Sequence, residues 1–120
     1  MPTNIRIIHA HDFLQVTPEG RLNFEDSKKL LVEIAAATPL AVPPEIILDT
    51  RKVQSDLSAT DLYDLVSELG NYRQAFARKI AVLCPLKQFD SAGFFALCAK
   101  NRGFQVQAFT SYEEAIEWLV

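Results

Sequence analysis

"IILDTRKVQSDLSATDLYDLV", residues Ile46 to Val66, decides how the chain is read. Ile46, Ile47 and Leu48 make a continuous apolar run, β-branched at its first two positions, as in a strand buried on both faces of a parallel sheet. The run ends on Asp49 and a polar stretch follows. From Ser58 onward the apolar residues return at helical spacing, with Leu62, Leu65, Val66 and Leu69 on one stripe. A serine followed three residues later by Asp61 reads as a helix N-cap with a shortened capping box. In open α/β sheets, ligands and regulatory groups gather outside the carboxyl ends of strands, where this junction falls. Asp49, Arg51, Ser58 and Thr60 are therefore the regulatory or partner-binding candidates.

The same reading extends outward in both directions. "IRIIHA" and "FLQVTPEG", separated by His11 and Asp12, predict an antiparallel hairpin. "NFEDSKKLLVEIAAAT" predicts a helix capped by Asn23, with Phe24, Leu30, Leu31, Ile34 and Ala35 inward, ending before Pro39 because the residue ahead of a proline avoids helical geometry. "TPLAVPPE" is an extended connector, too short to be an interdomain linker. "KIAVLCP" is a second buried strand, stopped by Pro85. "DSAGFFALCAKNRG" is a helix starting near Asp90, with Gly103 as its left-handed stop. "FQVQAF" is a third strand, and "TSYEEAIEWLV" a closing helix in which Ser111 and Glu114 have capping-box spacing. The order β-β-α-β-α-β-α-β-α predicts a single α/β domain over residues 1–120, with a mainly parallel sheet and an antiparallel N-terminal hairpin strand. Ile47, Leu48, Ile80, Val82 and Leu83 are its expected core, covered by Leu65, Leu69, Phe95 and Trp118.

Composition narrows the function classes. With 49% hydrophobic and 22% charged residues in 120, the chain has the make-up of a folded domain rather than a disordered one. A formal net charge of −3 argues against a nucleic-acid surface, which needs a concentrated basic face. No segment reaches the length of a membrane span and no leader pattern opens the chain, so a cytoplasmic location is expected. Cys84 and Cys98 lack C-x-x-C spacing and lie among apolar residues; both read as reduced core thiols.

The residues that could carry chemistry form no complete constellation. The four glycines are too scattered to cradle a phosphate, and neither dinucleotide nor P-loop spacing occurs. A phosphatase loop on Cys84 would need an arginine where Asp90 stands. Asp49 at a strand end resembles a receiver phosphoacceptor, but no lysine follows the last strand. His9 and His11 share a strand face beside Asp12 and could contribute to a metal site; without a third ligand, a solvated edge hairpin is the simpler reading. Arg51, Lys52 and Lys87 gather near strand ends and could attract an anion, although a solvated loop is the simpler account of them. Arg73, Arg78 and Lys79 read as the basic C-terminus of the second helix. No catalytic residue, cofactor or metal is expected.

With these elements placed, the chain resembles the STAS family of sulphate transporters and bacterial anti-sigma-factor antagonists. "FLQVTPEGRLNFEDSKKLLVEI" is similar to the family's second strand, its Gly-x-Leu-Asp turn (here Gly20 to Asn23) and first helix. "IILDTRKVQSDLSATDL" is similar to its strand, loop and switch helix, with Asp49 and Val53 matching. Ser58 falls on the serine that antagonists phosphorylate, whereas Leu57 stands in place of their aspartate and Thr60 in place of their glycine. The resemblance implies a STAS-like fold and a non-enzymatic protein-interaction module in bacterial signalling or stress regulation. The implied partner is a protein, a second copy included. It also brings in the lipid-carrying CRAL-TRIO relatives, and so, as the alternative, a small-ligand or lipid site at the strand C-terminal ends. For Ser58 it leaves both a structural cap and a phosphorylation switch open.

Overall fold

The computed structural model describes residues 4–10, 13–39 and 41–120, with side chains from residues 6 and 7, 13–39 and 41–120. Strand β1 (Asn4–Ala10) pairs antiparallel with β2 (Phe13–Leu22), and β2 runs parallel to β3 (Glu45–Asp49). Beyond β3 lie β5 (Ile80–Leu83) and β6 (Val106–Phe109), each parallel to its neighbour. The sheet order is β1-β2-β3-β5-β6. The hairpin edge and the parallel centre are as the sequence predicts.

One strand goes beyond the sequence prediction. β4 (Val53–Ser55) pairs with the far end of β2, Gly20 opposite Val53 and Leu22 opposite Ser55. Strand β2 is ten residues long and serves two parallel partners in succession, β3 along residues 13–16 and β4 along 20–22. Pro18 sits between these two ladders, where a residue without an N–H is tolerated. Gly20 follows at φ 101°, a left-handed conformation that a side chain would strain.

Alternation along the strands divides the interior in two. Leu14, Val16, Ile46, Ile80, Val82 and Val106 face three helices, α1 (Phe24–Ala37), α2 (Ala59–Leu69) and α3 (Phe89–Asn101). Ile47, Ala81, Leu83 and Phe109 face the other way, onto α4 (Tyr112–Leu119) through Ala115 and Leu119. The predicted stripe on α2 is buried as expected: Leu62, Leu65, Val66 and Leu69 all turn inward. Asn23 caps α1 by accepting from the Asp26 N–H at 2.8 Å.

Several expectations need correction. Leu48 is half-buried rather than buried, whereas Phe95 and Trp118, also half-buried, pack against the core as expected. Leu48 borders a cavity, and Trp118 is tilted against Phe109 with the Lys79 ammonium over its ring. Cys84 is buried but Cys98 is only half-buried. Arg73, Arg78 and Lys79 do not end a helix, because α2 stops at Leu69 and a 3₁₀ turn follows over Gly70–Tyr72. Each cation has a tertiary partner instead. Arg73 stacks on Phe104 and donates to the Arg102 carbonyl, Arg78 pairs with Glu45 at 3.7 Å, and Lys79 donates to the Trp118 carbonyl. Ser111 accepts from the Glu114 N–H and donates its hydroxyl to Glu113, but no hydrogen bond from the Ser111 main-chain N–H to the Glu114 carboxylate completes the expected box among the described residues.

Candidate functional site

The junction quoted at the outset folds as a strand, a tight return and a capped helix. Thr50 continues from β3 by donating its N–H and its hydroxyl to the Leu83 carbonyl, at 2.7 and 3.0 Å, which ties the loop to β5. Asp49 is buried. Its Oδ1 accepts from the Arg51 main-chain N–H and from Arg51 Nε, and its Oδ2 accepts from Arg51 Nη2 at 2.9 Å. The two-pronged pairing holds the chain in the bend that delivers Val53 to β2. Raised above its already high ordinary value chiefly by the Asp49 hydrogen bond, the Arg51 pKa is pulled the other way by partial burial. Arg51 is thereby occupied as a loop staple rather than poised for an external anion. Lys52, the second cation there, lies 3.7 Å from Glu19, and Lys87 is exposed on the 3₁₀ turn Leu86–Gln88.

Ser58 is the N-cap of α2. Its hydroxyl accepts from the Asp61 N–H at 3.1 Å while the Asp61 carboxylate accepts from the Ser58 N–H at 3.0 Å, a complete capping box. Aspartate closes the box despite being one methylene shorter than glutamate. Thr60 is exposed in the first turn and makes no side-chain hydrogen bond among the described residues. Asp49 and Arg51 are thus brought together, and Ser58 joins Asp61. No hydrogen bond links the two pairs among the described residues. His11 and Asp12 lie outside the described residues, as does the side chain of His9. Among the described residues, no cluster of three or more His, Cys, Asp or Glu is placed to hold a metal, and no helix is long and apolar enough to cross a membrane.

Behind the loop, between the sheet and helices α1, α2 and α3, lies a cavity of about 140 Å³ at the C-terminal ends of β3 and β5. Leu57, which replaces the aspartate of the resembled motif, turns into its wall. Beside it, the 3₁₀ turn and α3 carry a run of exposed apolar side chains that sequence reasoning did not single out. Leu86 is 80% exposed, Leu97 57%, Phe89 41% and Phe94 38%. The signal was present: in "LKQFDSAGFFALCAK" apolar residues occupy both sides of the helix, Ala96 and Ala99 facing in while Phe89, Phe94 and Leu97 face out.

No family model matches the sequence, and no curated protein matches it by sequence. Solved structures match it over nearly its whole length. An anti-sigma factor antagonist from Mycobacterium paratuberculosis superposes with a TM-score of 0.65 at 13% identity, over 98% of this chain and 94% of that one. An uncharacterised DUF3478-family protein with a SpoIIAA-like fold, from Shewanella loihica PV-4, gives 0.62 at 17% identity, over 98% and 94%. The Bacillus cell fate determinant SpoIIAA in its phosphorylated form gives 0.56 at 14% identity, over 98% and 100%. The class is therefore defined by architecture: the chain has the SpoIIAA-like fold of the STAS anti-sigma-factor antagonists.

Proposed function

We propose that the chain acts as one STAS-like unit over residues 1–120, a non-enzymatic, cytoplasmic module that docks onto a protein partner in bacterial signalling or stress regulation. The observation that carries this reading is the concentration of four exposed apolar side chains, Leu86, Phe89, Phe94 and Leu97, within the 3₁₀ turn and α3, the kind of surface that marks an interaction site. Leu86 and Phe89 lie at the same end of the sheet as the Ser58 loop, since the 3₁₀ turn follows β5 as the loop follows β3. Loop and turn meet at the cavity, where Leu57 and Gln88 both line the wall. One partner footprint could span both. The similarity to an anti-sigma factor antagonist supports a regulatory setting for such docking.

Ser58 acts as a cap in this reading, and Asp49 with Arg51 sets the loop that presents it. Affinity capture of the tagged chain from its native cell lysate tests the proposal, read by mass spectrometry beside a Leu86→Asp, Leu97→Asp double variant. A protein recovered by the parent chain and lost with the variant is the expected result. Equal recovery by both, or no protein above the untagged control, would contradict it. Sedimentation of the purified chain tells whether that protein is a second copy.

A further inference from the structure

The cavity behind the Ser58 loop has a composition that selects a ligand. Its walls are Leu22, Leu30, Leu48, Leu65, Val82 and Phe95, with no Asp, Glu, Lys, Arg or His in the lining among the described residues. Ser27, Thr50, Ser55 and Cys84 in the wall are already committed, Ser55 by accepting from the Leu57 N–H at 3.4 Å. Ser27 donates its hydroxyl to the Asn23 carbonyl at 2.8 Å, Thr50 to the Leu83 carbonyl at 3.0 Å, and the Cys84 thiol to the Phe109 carbonyl at 3.5 Å. Gln88 and Ser91, both in the lining at the start of α3, differ: neither side chain has a hydrogen-bond partner among the described residues. The result is an apolar pocket open to solvent, with half-buried Gln88 and exposed Ser91 as its polar side.

Size and charge then set limits. Drug-sized ligands and lipid chains occupy pockets of roughly 300–1,000 Å³, so 140 Å³ is too small for either. An apolar space of about 150 Å³ accepts a molecule the size of benzene. A charged ligand would lose its hydration with no counter-charge in the wall, which disfavours an ion strongly. We propose that this cavity is a binding site for a small neutral molecule with an apolar body and a single hydrogen-bonding end, of the class of phenol or a short-chain alcohol. The body lies against Leu48, Leu65 and Val82, and the polar end faces Gln88 and Ser91. Because Ser55 and Leu57 belong to the same wall, an occupant would brace the segment leading into α2 from beneath. The binding claim stands whether or not a protein partner docks nearby.

Methyl and amide NMR titrations of the full chain with phenol, benzene and sodium benzoate at pH 7 test it. Phenol should give saturable shifts centred on Leu30, Leu48, Leu65 and Val82, and intermolecular NOEs from its ring to those methyls. Benzene should bind at the same place more weakly, and benzoate at least tenfold more weakly than phenol. Gln88→Ala should bring phenol down toward the affinity of benzene. Leu48→Trp, which places an indole in the chamber, should abolish the shifts. Should that variant fail to fold, the NOEs to the parent protein decide alone. Absence of saturable shifts with phenol and benzene, NOEs to methyls elsewhere, or benzoate binding as tightly as phenol would overturn the assignment.

Discussion

Ser58 illustrates how much one side chain can do by hydrogen bonding alone. The reciprocal pair with Asp61 satisfies two of the N–H groups that every helix start leaves unpaired. Ser58→Ala should therefore lower stability by about 1 kcal/mol in urea unfolding. Ser58→Asp should hold stability nearly unchanged, since aspartate caps as well as serine. Partner binding should survive both substitutions; a tenfold change in affinity with Ser58→Asp would assign the residue to a switch instead. Asp49 is less replaceable, being a buried carboxylate that accepts both main-chain and side-chain donors. Asp49→Ala should cost about 1–3 kcal/mol by stranding the Arg51 N–H and freeing the return between β3 and β4.

The two thiols should differ as their surroundings do. Half-buried Cys98 should react with a small alkylating reagent before buried Cys84, whose pKa is pushed up by burial. The pH consequence follows from the direction of that shift. A folded-state pKa above the unfolded one means that the unfolded chain loses its proton first as pH rises. Below the ordinary thiol pKa of about 8.5 the contribution of Cys84 is fully present, and above it stability declines. The fall in urea midpoint from pH 7 to alkaline pH should be smaller for Cys84→Ala than for the parent. Equal alkaline losses in the two proteins would count against a buried thiol.

At the scale of elements, the helices and central strands were legible because each carries a complete period. Ile46–Leu48 and Ile80–Leu83 are apolar throughout, as two-sided burial requires, and α2 repeats its stripe over three turns. Leu65→Ala should cost about 2–5 kcal/mol, read from the denaturation midpoint, because Leu65 closes the sheet against α2. β4 was not legible, since three residues with one buried side chain form a strand only because β2 continues past the end of β3. The basic run from Arg73 to Lys79 misled for a related reason. Composition near a helix end suggests a dipole partner, whereas Glu45, Phe104 and Trp118 are brought to these cations only by tertiary folding. Of the candidate site, the cap at Ser58 could be read from local spacing. The Asp49–Arg51 staple could not, because it depends on a bend the sequence does not spell out.

For the whole molecule, the sheet divides labour between its faces. Among the described residues α1, α2 and α3 bury one side, the eight-residue α4 covers the other, and the C-terminal ends of the strands gather the Ser58 loop, the cavity and the exposed start of α3. The exposed apolar side of the 3₁₀ turn and α3, carried by Leu86 near the strand ends and by Leu97 further along the helix, is the proposed protein-docking surface. The direct measurement is calorimetric affinity for the captured partner, comparing the parent chain with Leu86→Asp, Leu97→Asp and with Val32→Asp, a change at an exposed apolar site on α1. All three proteins should unfold at similar denaturant concentrations, because these side chains are exposed. The double variant should bind at least tenfold more weakly, a loss of about 1.4 kcal/mol, and Val32→Asp should bind within twofold of the parent. Parent-like affinity in the double variant would contradict the claim.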